Sequence, residues 1–331
     1  MAVLADSYGR VATGLRVSLT DRCNLRCSYC MPAEGLDWLR DPGLLTDDEV
    51  IRLVGVAVSR LGVREVRFTG GEPLLRRGLP GIVARTAALR PHPEISLTTN
   101  GIGLARLAGP LAAAGLNRVN VSLDTLSPAT FVRLAHRNQL ANVLRGLDAA
   151  VEAGLVPVKV NAVLMRGIND TDAVPLLRFC LEHDYGLRFI EQMPLDAQQG
   201  WRRDNLLTAH EILSALSREF TLTPADPGQR GSAPSEDFLV NGGPATVGVI
   251  GSVTRPFCGA CDRVRLTADG QIRNCLFGHE ESDVRGPLRD GASDDELASI
   301  WVRAVARKLP GHGINDPGFL QPARPMSAIG G

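Results

Sequence analysis

Between residues 15 and 191 the chain alternates two hydrophobic rhythms. Short runs in which apolar and polar residues take turns cover 15–20, 65–69, 94–99, 118–124, 158–164 and 187–191, and a period of two predicts strands. The stretches between them carry apolar residues three and four apart, which predicts helices. The clearest helix begins at Thr46. Glu49 stands three residues on, as in a capping box, and Val50, Leu53, Val54, Ala57 and Leu61 share one helical face before Gly62 ends it. Further helices are expected near 80–88, 104–114, 140–153 and 173–183. Alternating β and α units imply an α/β fold with a parallel sheet and right-handed crossovers. Six such units could build an incomplete barrel or an open doubly wound sheet, and the pattern alone leaves both open.

The polar positions of these strands are unusual. Residues two apart share a face, so Arg16, Ser18 and Thr20 lie together. So do Arg67 with Thr69, Ser96 with Thr98, Arg118 with Asn120, Ser122 and Asp124, and Lys159 with Asn161. The opposite faces carry Leu15, Val17, Leu19, Val66, Phe68, Val119, Val121, Val158 and Val160, fit to meet helices. An ordinary barrel interior is packed with branched apolar side chains, whereas so many polar groups would lack partners there. A wet cavity that holds a ligand follows, and Arg16, Arg67 and Lys159 favour an anionic one. The alternative is a sheet with one face in solvent.

Composition changes the picture beyond residue 224. Residues 224–236 are rich in Pro, Gly, Ser and Asp and read as a linker. A hairpin is expected over 237–250 with its turn at 241–243, then a helix over 294–308 and a Gly- and Pro-rich tail ending in Gly330 and Gly331. At 331 residues and 44% hydrophobic, the chain can bury a large core. Lys plus Arg balance Asp plus Glu at 36 each, so no overall charge draws the chain to nucleic acid or membrane. No apolar run reaches a bilayer span and the first ten residues lack a signal-peptide core, so a cytoplasmic location is expected. Seven cysteines, an odd number in a long chain, argue against a disulfide framework.

Six of those cysteines form two trios. Cys23, Cys27 and Cys30 have the spacing CxxxCxxC directly after the first strand. Three thiolates on one short loop can ligate three irons of a [4Fe–4S] cubane and leave the fourth open, since such clusters normally take four Cys. Cys258, Cys261 and Cys275 form the second trio, open to the same reading. The alternative for either is zinc with a fourth ligand, and His279 is a candidate at the second. Cys180 falls in an apolar helical pattern and reads as a core thiol. Thr69-Gly70-Gly71-Glu72-Pro73 follows the second strand, Thr98-Thr99-Asn100-Gly101 the third, Ser122-Leu123-Asp124 the fourth and Met193 the sixth. All gather at the carboxyl ends of strands, where βα folds place their active sites.

CxxxCxxC with aromatic Tyr29 before the last Cys, followed by Gly-Gly-Glu-Pro, resembles the radical S-adenosylmethionine (SAM) superfamily. That resemblance implies an incomplete (β/α)6 TIM-like barrel, with residues 1–235 as the barrel and residues 236–331 as a smaller C-terminal cluster-binding domain ending in the Gly-Gly tail. It implies Tyr29, Gly71, Glu72, Ser122 and Met193 as SAM contacts. The stretches around Arg16, Arg67, Ser122, Lys159, Arg188 and Phe257-Cys258, together with the terminal Gly-Gly, are similar to the GTP 3′,8-cyclase family of molybdenum cofactor biosynthesis. This implies a lyase with two [4Fe–4S] clusters and SAM that converts GTP to (8S)-3′,8-cyclo-7,8-dihydroguanosine 5′-triphosphate. A deoxyadenosyl radical would take hydrogen from ribose C3′, and the carbon radical would attack guanine C8. Arg16, Arg67, Thr98, Lys159, Arg263 and Arg265 would hold GTP, with Gly330 and Gly331 reaching the active site. Implied partners are a small electron donor such as flavodoxin or ferredoxin, a downstream cyclic pyranopterin monophosphate synthase and a second copy of the chain, with no nucleic acid and no membrane. A peptide-modifying radical SAM maturase and a zinc-stabilised nucleotide-binding scaffold are the competing readings.

Overall fold

Six strands alternate with helices in the order the sequence predicts. The computed structural model describes residues 3–226, 228 and 230–330. Strands β1 (Gly14–Ser18), β2 (Glu65–Thr69), β3 (Glu94–Thr99), β4 (Arg118–Ser122), β5 (Lys159–Val163) and β6 (Gly186–Ile190) lie side by side in chain order, each parallel to the next. Helices α1 (Asp47–Leu61), α2 (Leu79–Ala87), α3 (Leu104–Ala113), α4 (Pro128–Ala135), α5 (Leu140–Glu152), α6 (Ala173–Glu182) and α7 (Ala209–Leu216) fill the connections. The expected capping box forms at Thr46 and Glu49, and Gly62 takes the left-handed C-cap conformation at φ 77°. Helices α4 and α7 lie outside those expected from periodicity. Both carry start signals: Ser127 caps α4 with Pro128 in its first turn, and Thr208 and Glu211 form a capping box on α7.

The C-terminal segment continues the same sheet on both sides. Strand β7 (Leu222–Pro224) and β8 (Glu236–Val240) lead to β9 (Thr246–Ile250), which pairs parallel with β6. Strand β10 (Arg263–Leu266) pairs parallel with β1, and β11 (Gln271–Arg273) and β12 (Ser282–Asp283) extend that edge antiparallel. The strand order is β12-β11-β10-β1-β2-β3-β4-β5-β6-β9-β8-β7. The parallel core thus runs from β10 through β1–β6 to β9, and β9 and β10 do not pair to close it. Arg67 on β2 nevertheless feels the charge of Arg188 on β6. Four strand spacings in a flat sheet would separate them by about 19 Å, so the sheet curls into an incomplete barrel.

The outer face of the strands is dry. Leu15, Val17, Val66, Phe68, Val119, Val121 and Val160 are all at most 1% exposed and belong to one core beneath the helices. Each such side chain contributes roughly 1.5–3 kcal/mol by leaving water. After α8 (Arg285–Arg289), α9 (Asp294–Ala306) packs on α1, joined by Arg52–Asp294 and Arg60–Asp295 ion pairs. A second apolar cluster of Leu195, Val253, Phe277, Ile314 and Ile329 gathers the loop after β6, the second cysteine segment and the C-terminal α10 (Met326–Ile329). It holds the tail against the barrel. No helix among the described residues is long and apolar enough to cross a membrane.

Candidate active site

The first cysteine trio occupies the mouth at the carboxyl ends of the strands. Its loop leaves β1 and is clamped onto the end of α4 by Arg26 N–H to Ala135 O and Ser28 N–H to Leu134 O. The loop after β2 packs on it just as closely. Gly71 N–H donates to Thr20 O at 2.6 Å, and a Cβ at Gly71 would stand 2.3 Å from Arg22 O and 2.4 Å from Asp21 O. The paired glycines therefore serve backbone-to-backbone approach here. Glu72 lies beneath this contact, 0% exposed. Its carboxylate accepts from Leu74 N–H, Thr99 Oγ1 and Asn100 N–H, and burial pushes it up to about 7. Its side chain is thus a pin between the second and third loops rather than part of the cavity wall.

A cavity of about 150 Å³ opens beside the thiols, walled by Tyr29, Gly71, Thr98, Ser122, Asp124 and Ser327 among others. Tyr29 donates its hydroxyl to Asp124 at 2.7 Å. Asp124 also accepts from Val163 N–H, and burial lifts it to about 6. Met193 stands apart from this wall, in the second apolar cluster with Leu195 and Met326. The three thiols meet no cation strong enough to draw off their protons. Burial pushes Cys30 up to about 12 and Cys27 well above its usual value, and raises Cys23. Among the described residues Cys23 Sγ accepts from neutral donors, Leu25 N–H at 3.5 Å and Asn100 Nδ2 at 3.7 Å.

The polar strand faces converge below. In register, Arg265, Arg16, Arg67 and Ser96 stand abreast across β10, β1, β2 and β3. Thr98, Asn120 and Lys159 do the same across β3, β4 and β5, and Asn161 pairs with Arg188 across β5 and β6. Among the described residues, no carboxylate comes within ion-pair distance of Arg16, Arg67, Lys159, Arg188 or Arg265. Burial and mutual repulsion make each cation harder to keep charged. Lys159 is held down to about 8 by burial and by Arg188, Arg118 and Arg67. Arg16 is lowered by burial, then by Arg67, Arg265 and Arg263, although a guanidinium remains charged under any ordinary condition. Several buried polar atoms have no partner: Thr98 Oγ1, both amide atoms of Asn120, Asn161 Oδ1 and Arg263 Nη2. Unpaired groups of this kind cost of order 1–3 kcal/mol each. They are the mark of a site that a polar anion completes.

The second trio lies at the opposite mouth. Cys258 and Cys261 precede β10, which runs parallel to β1, and Cys275 follows antiparallel β11. Both connections therefore sit at the amino ends of the parallel strands. Arg10 pins this loop, donating to Cys258 O at 2.8 Å and to Pro310 O at 2.9 Å. Arg263 lies over the Phe257 ring at 5.0 Å. Burial raises Cys258. At Cys261 burial acts upward too, but Arg263 and Lys308 outweigh it and bring the thiol to about 7. His279 turns its Nε2 to Leu320 O. Between the mouths, Gly330 carries its oxygen to Arg265 Nη1. Its φ of 78° and the 2.8 Å approach a Cβ would make to Thr69 Cγ2 both demand glycine. Gly331 lies outside the described residues.

Comparison with known proteins now decides between the readings. Residues 17–180 match the Radical SAM superfamily and residues 185–314 match Molybdenum Cofactor Synthesis C. The chain is 65% identical over 329 residues to the GTP 3′,8-cyclase of Streptomyces coelicolor, spanning 99% of this chain and 96% of that one. It belongs to the GTP 3′,8-cyclase family. Another member, from Mycolicibacterium smegmatis, is 60% identical over 99% of this chain and 92% of its own. The fold is shared more widely. The SAM-bound crystal structure of Streptococcus suis SuiB superposes with a TM-score of 0.62 at 14% identity, covering 92% of this chain and 68% of that chain. A native anSMEcpe structure with bound AdoMet gives 0.57 at 15% identity over 91% of this chain and 82% of its own.

Family membership brings SAM and an iron–sulfur cluster, and the residues present fit them. Each trio offers three thiols, the soft donor set such clusters take. The buried first trio needs a metal to shed its protons, and the cavity beside it has polar walls. Periodicity alone did not single out Arg188, Asn120 and Asn161 as ligand groups, although each sits at an inward strand position that alternation reveals. Lys308, at the end of α9, carries no sequence signal at all.

Proposed function

We propose that this chain is a radical SAM GTP 3′,8-cyclase, a lyase that forms the C3′–C8 bond of (8S)-3′,8-cyclo-7,8-dihydroguanosine 5′-triphosphate with two [4Fe–4S] clusters, one per mouth. The observation that carries this reading is the cation-lined, carboxylate-poor barrel interior lying between two thiol trios. Cys23, Cys27 and Cys30 would hold the first cluster, which when bound would supply the electron for reductive cleavage of SAM and so the radical chemistry at ribose C3′.

The protein's own part is binding, orientation and exclusion of water. Arg16, Arg67, Lys159, Arg188 and Arg265 neutralise the triphosphate, and the low-dielectric wall strengthens each contact. Thr98, Asn120 and Asn161 offer the unpaired donors and acceptors that hydroxyl groups and a base edge can satisfy. Arg263 lies over the Phe257 ring at the second mouth and would hold the guanine end there. Tyr29, Gly71 and Ser122 wall the SAM cavity, while Glu72 braces the loops that carry it. Met193 would reach SAM only from the apolar cluster behind. Gly330, whose oxygen accepts from Arg265, would help keep water from the reacting carbon. In this division residues 1–235 generate the radical, and residues 236–331 supply the second mouth and the tail. A flavodoxin- or ferredoxin-like donor would deliver electrons, and a cyclic pyranopterin monophosphate synthase would consume the product.

The test is anaerobic turnover of the reconstituted protein with SAM, dithionite and GTP. The proposal expects 5′-deoxyadenosine and a new cyclised nucleotide, both dependent on GTP. SAM cleavage that leaves GTP unchanged would assign a different substrate.

A further inference from the structure

Lys308 is a buried ammonium that the proposed chemistry does not use. It is 5% exposed and follows the last turn of α9. Its Nζ donates to Arg263 O at 2.9 Å, to Cys261 O at 3.1 Å and to Cys261 Sγ at 3.2 Å. An ammonium has three hydrogens, so these acceptors use all of them. Among the described residues no carboxylate lies within ion-pair distance of Nζ. A buried charge without a counter-ion is costly, and among the described residues the Cys261 sulfur is the neighbour able to carry the balancing charge. The side chain also bridges the cysteine loop to the first residue of β10, the strand that aims Arg263 and Arg265 into the barrel.

We propose that Lys308 is a positioning residue for the cluster of the second mouth: it fixes the Cys261 sulfur in a ligating orientation and raises the reduction potential of the group bound there. This rests on the reading that a second cluster occupies that mouth. The physical reason is charge. Reduction adds an electron to an already anionic group, so a nearby cation and an N–H···S bond stabilise the reduced state more than the oxidised one. Hydrogen bonds to the sulfurs are among the main determinants of such potentials. Low dielectric magnifies the effect. At the first mouth Arg26 donates to Cys23 O, but among the described residues no cation bonds a cysteine sulfur there: Cys23 Sγ accepts from the Leu25 N–H and the Asn100 amide.

The experiment uses the full chain with Cys23, Cys27 and Cys30 all changed to Ala, so that only the second mouth can hold a cluster. Iron and sulfide content are measured after anaerobic reconstitution, followed by a redox titration read by electron paramagnetic resonance. Lys308→Met is expected to lower the reduced-to-oxidised ratio at a fixed potential about tenfold, which is a shift of about 59 mV for one electron. Lys308→Arg, which keeps the charge, is expected to restore most of it. Should Lys308→Met fail to load iron, Lys308→Gln carries the same measurement with the same sign. A full iron load with an unchanged potential overturns the role of Lys308 and leaves the second cluster standing. Absence of iron in the Cys-to-Ala background, with native thermal stability, overturns the second cluster and the role of Lys308 with it.

Discussion

At one mouth of the barrel Cys23, Cys27 and Cys30 sit among Glu72, Asp124, Arg26, a phenol and neutral amides. At the other, Cys258, Cys261 and Cys275 sit among Arg10, Arg263 and Lys308. Both trios offer the same sulfur ligands, yet burial holds Cys30 near 12 at the first, while at the second burial still raises Cys258 but Arg263 and Lys308 bring Cys261 to about 7. The difference assigns distinct work to the same chemistry. Anionic surroundings make a bound cluster harder to reduce and so a stronger donor, as reductive cleavage of a sulfonium requires. Cationic surroundings make reduction easier and attract a polyanion. Between them Arg16, Arg67, Lys159, Arg188 and Arg265 line the barrel, a setting that suits a nucleotide triphosphate.

The largest expected effect separates the mouths outright. Cys30→Ala should remove SAM cleavage to the assay background, whereas Cys258→Ala should keep SAM cleavage and lose the cyclised nucleotide. Equal loss of both activities in both variants would erase the distinction. A smaller effect should follow from Arg265→Leu: GTP affinity falls between about tenfold and a hundredfold, with SAM affinity unchanged, as read by calorimetry on the reconstituted protein. The smallest is a matter of pH. Lys159 is held down to about 8, and a bound triphosphate would raise it. Nucleotide binding then takes up a proton above pH 8, so GTP affinity is full below about 8 and falls by up to tenfold per pH unit above it. Lys159→Arg should flatten that slope.

Much of the fold was legible from the sequence because its signals are local. Strands β2 and β3 occupy the predicted 65–69 and 94–99, and α1 begins at its capping box. The inward polar alternation also read correctly, since a period of two leaves little choice of face. What could not be read is long-range pairing. Nothing in Thr246–Ile250 or Arg263–Leu266 announces that these strands lie parallel beside β6 and β1, because partner choice between distant strands has no local code. The same limit hid Lys308, whose meaning comes only from a sulfur 47 positions away. Glu72 shows the reverse case: its motif was plain, but only the packing reveals a carboxylate spent on holding two loops together.

The proposed cyclisation requires that ribose C3′ of GTP face the radical formed at the first mouth. The most direct measurement is anaerobic turnover with GTP deuterated at C3′, followed by mass analysis of the 5′-deoxyadenosine formed. Hydrogen abstraction from C3′ should transfer one deuterium into 5′-deoxyadenosine. Unlabelled 5′-deoxyadenosine accompanying a cyclised product that retains the deuterium would contradict it.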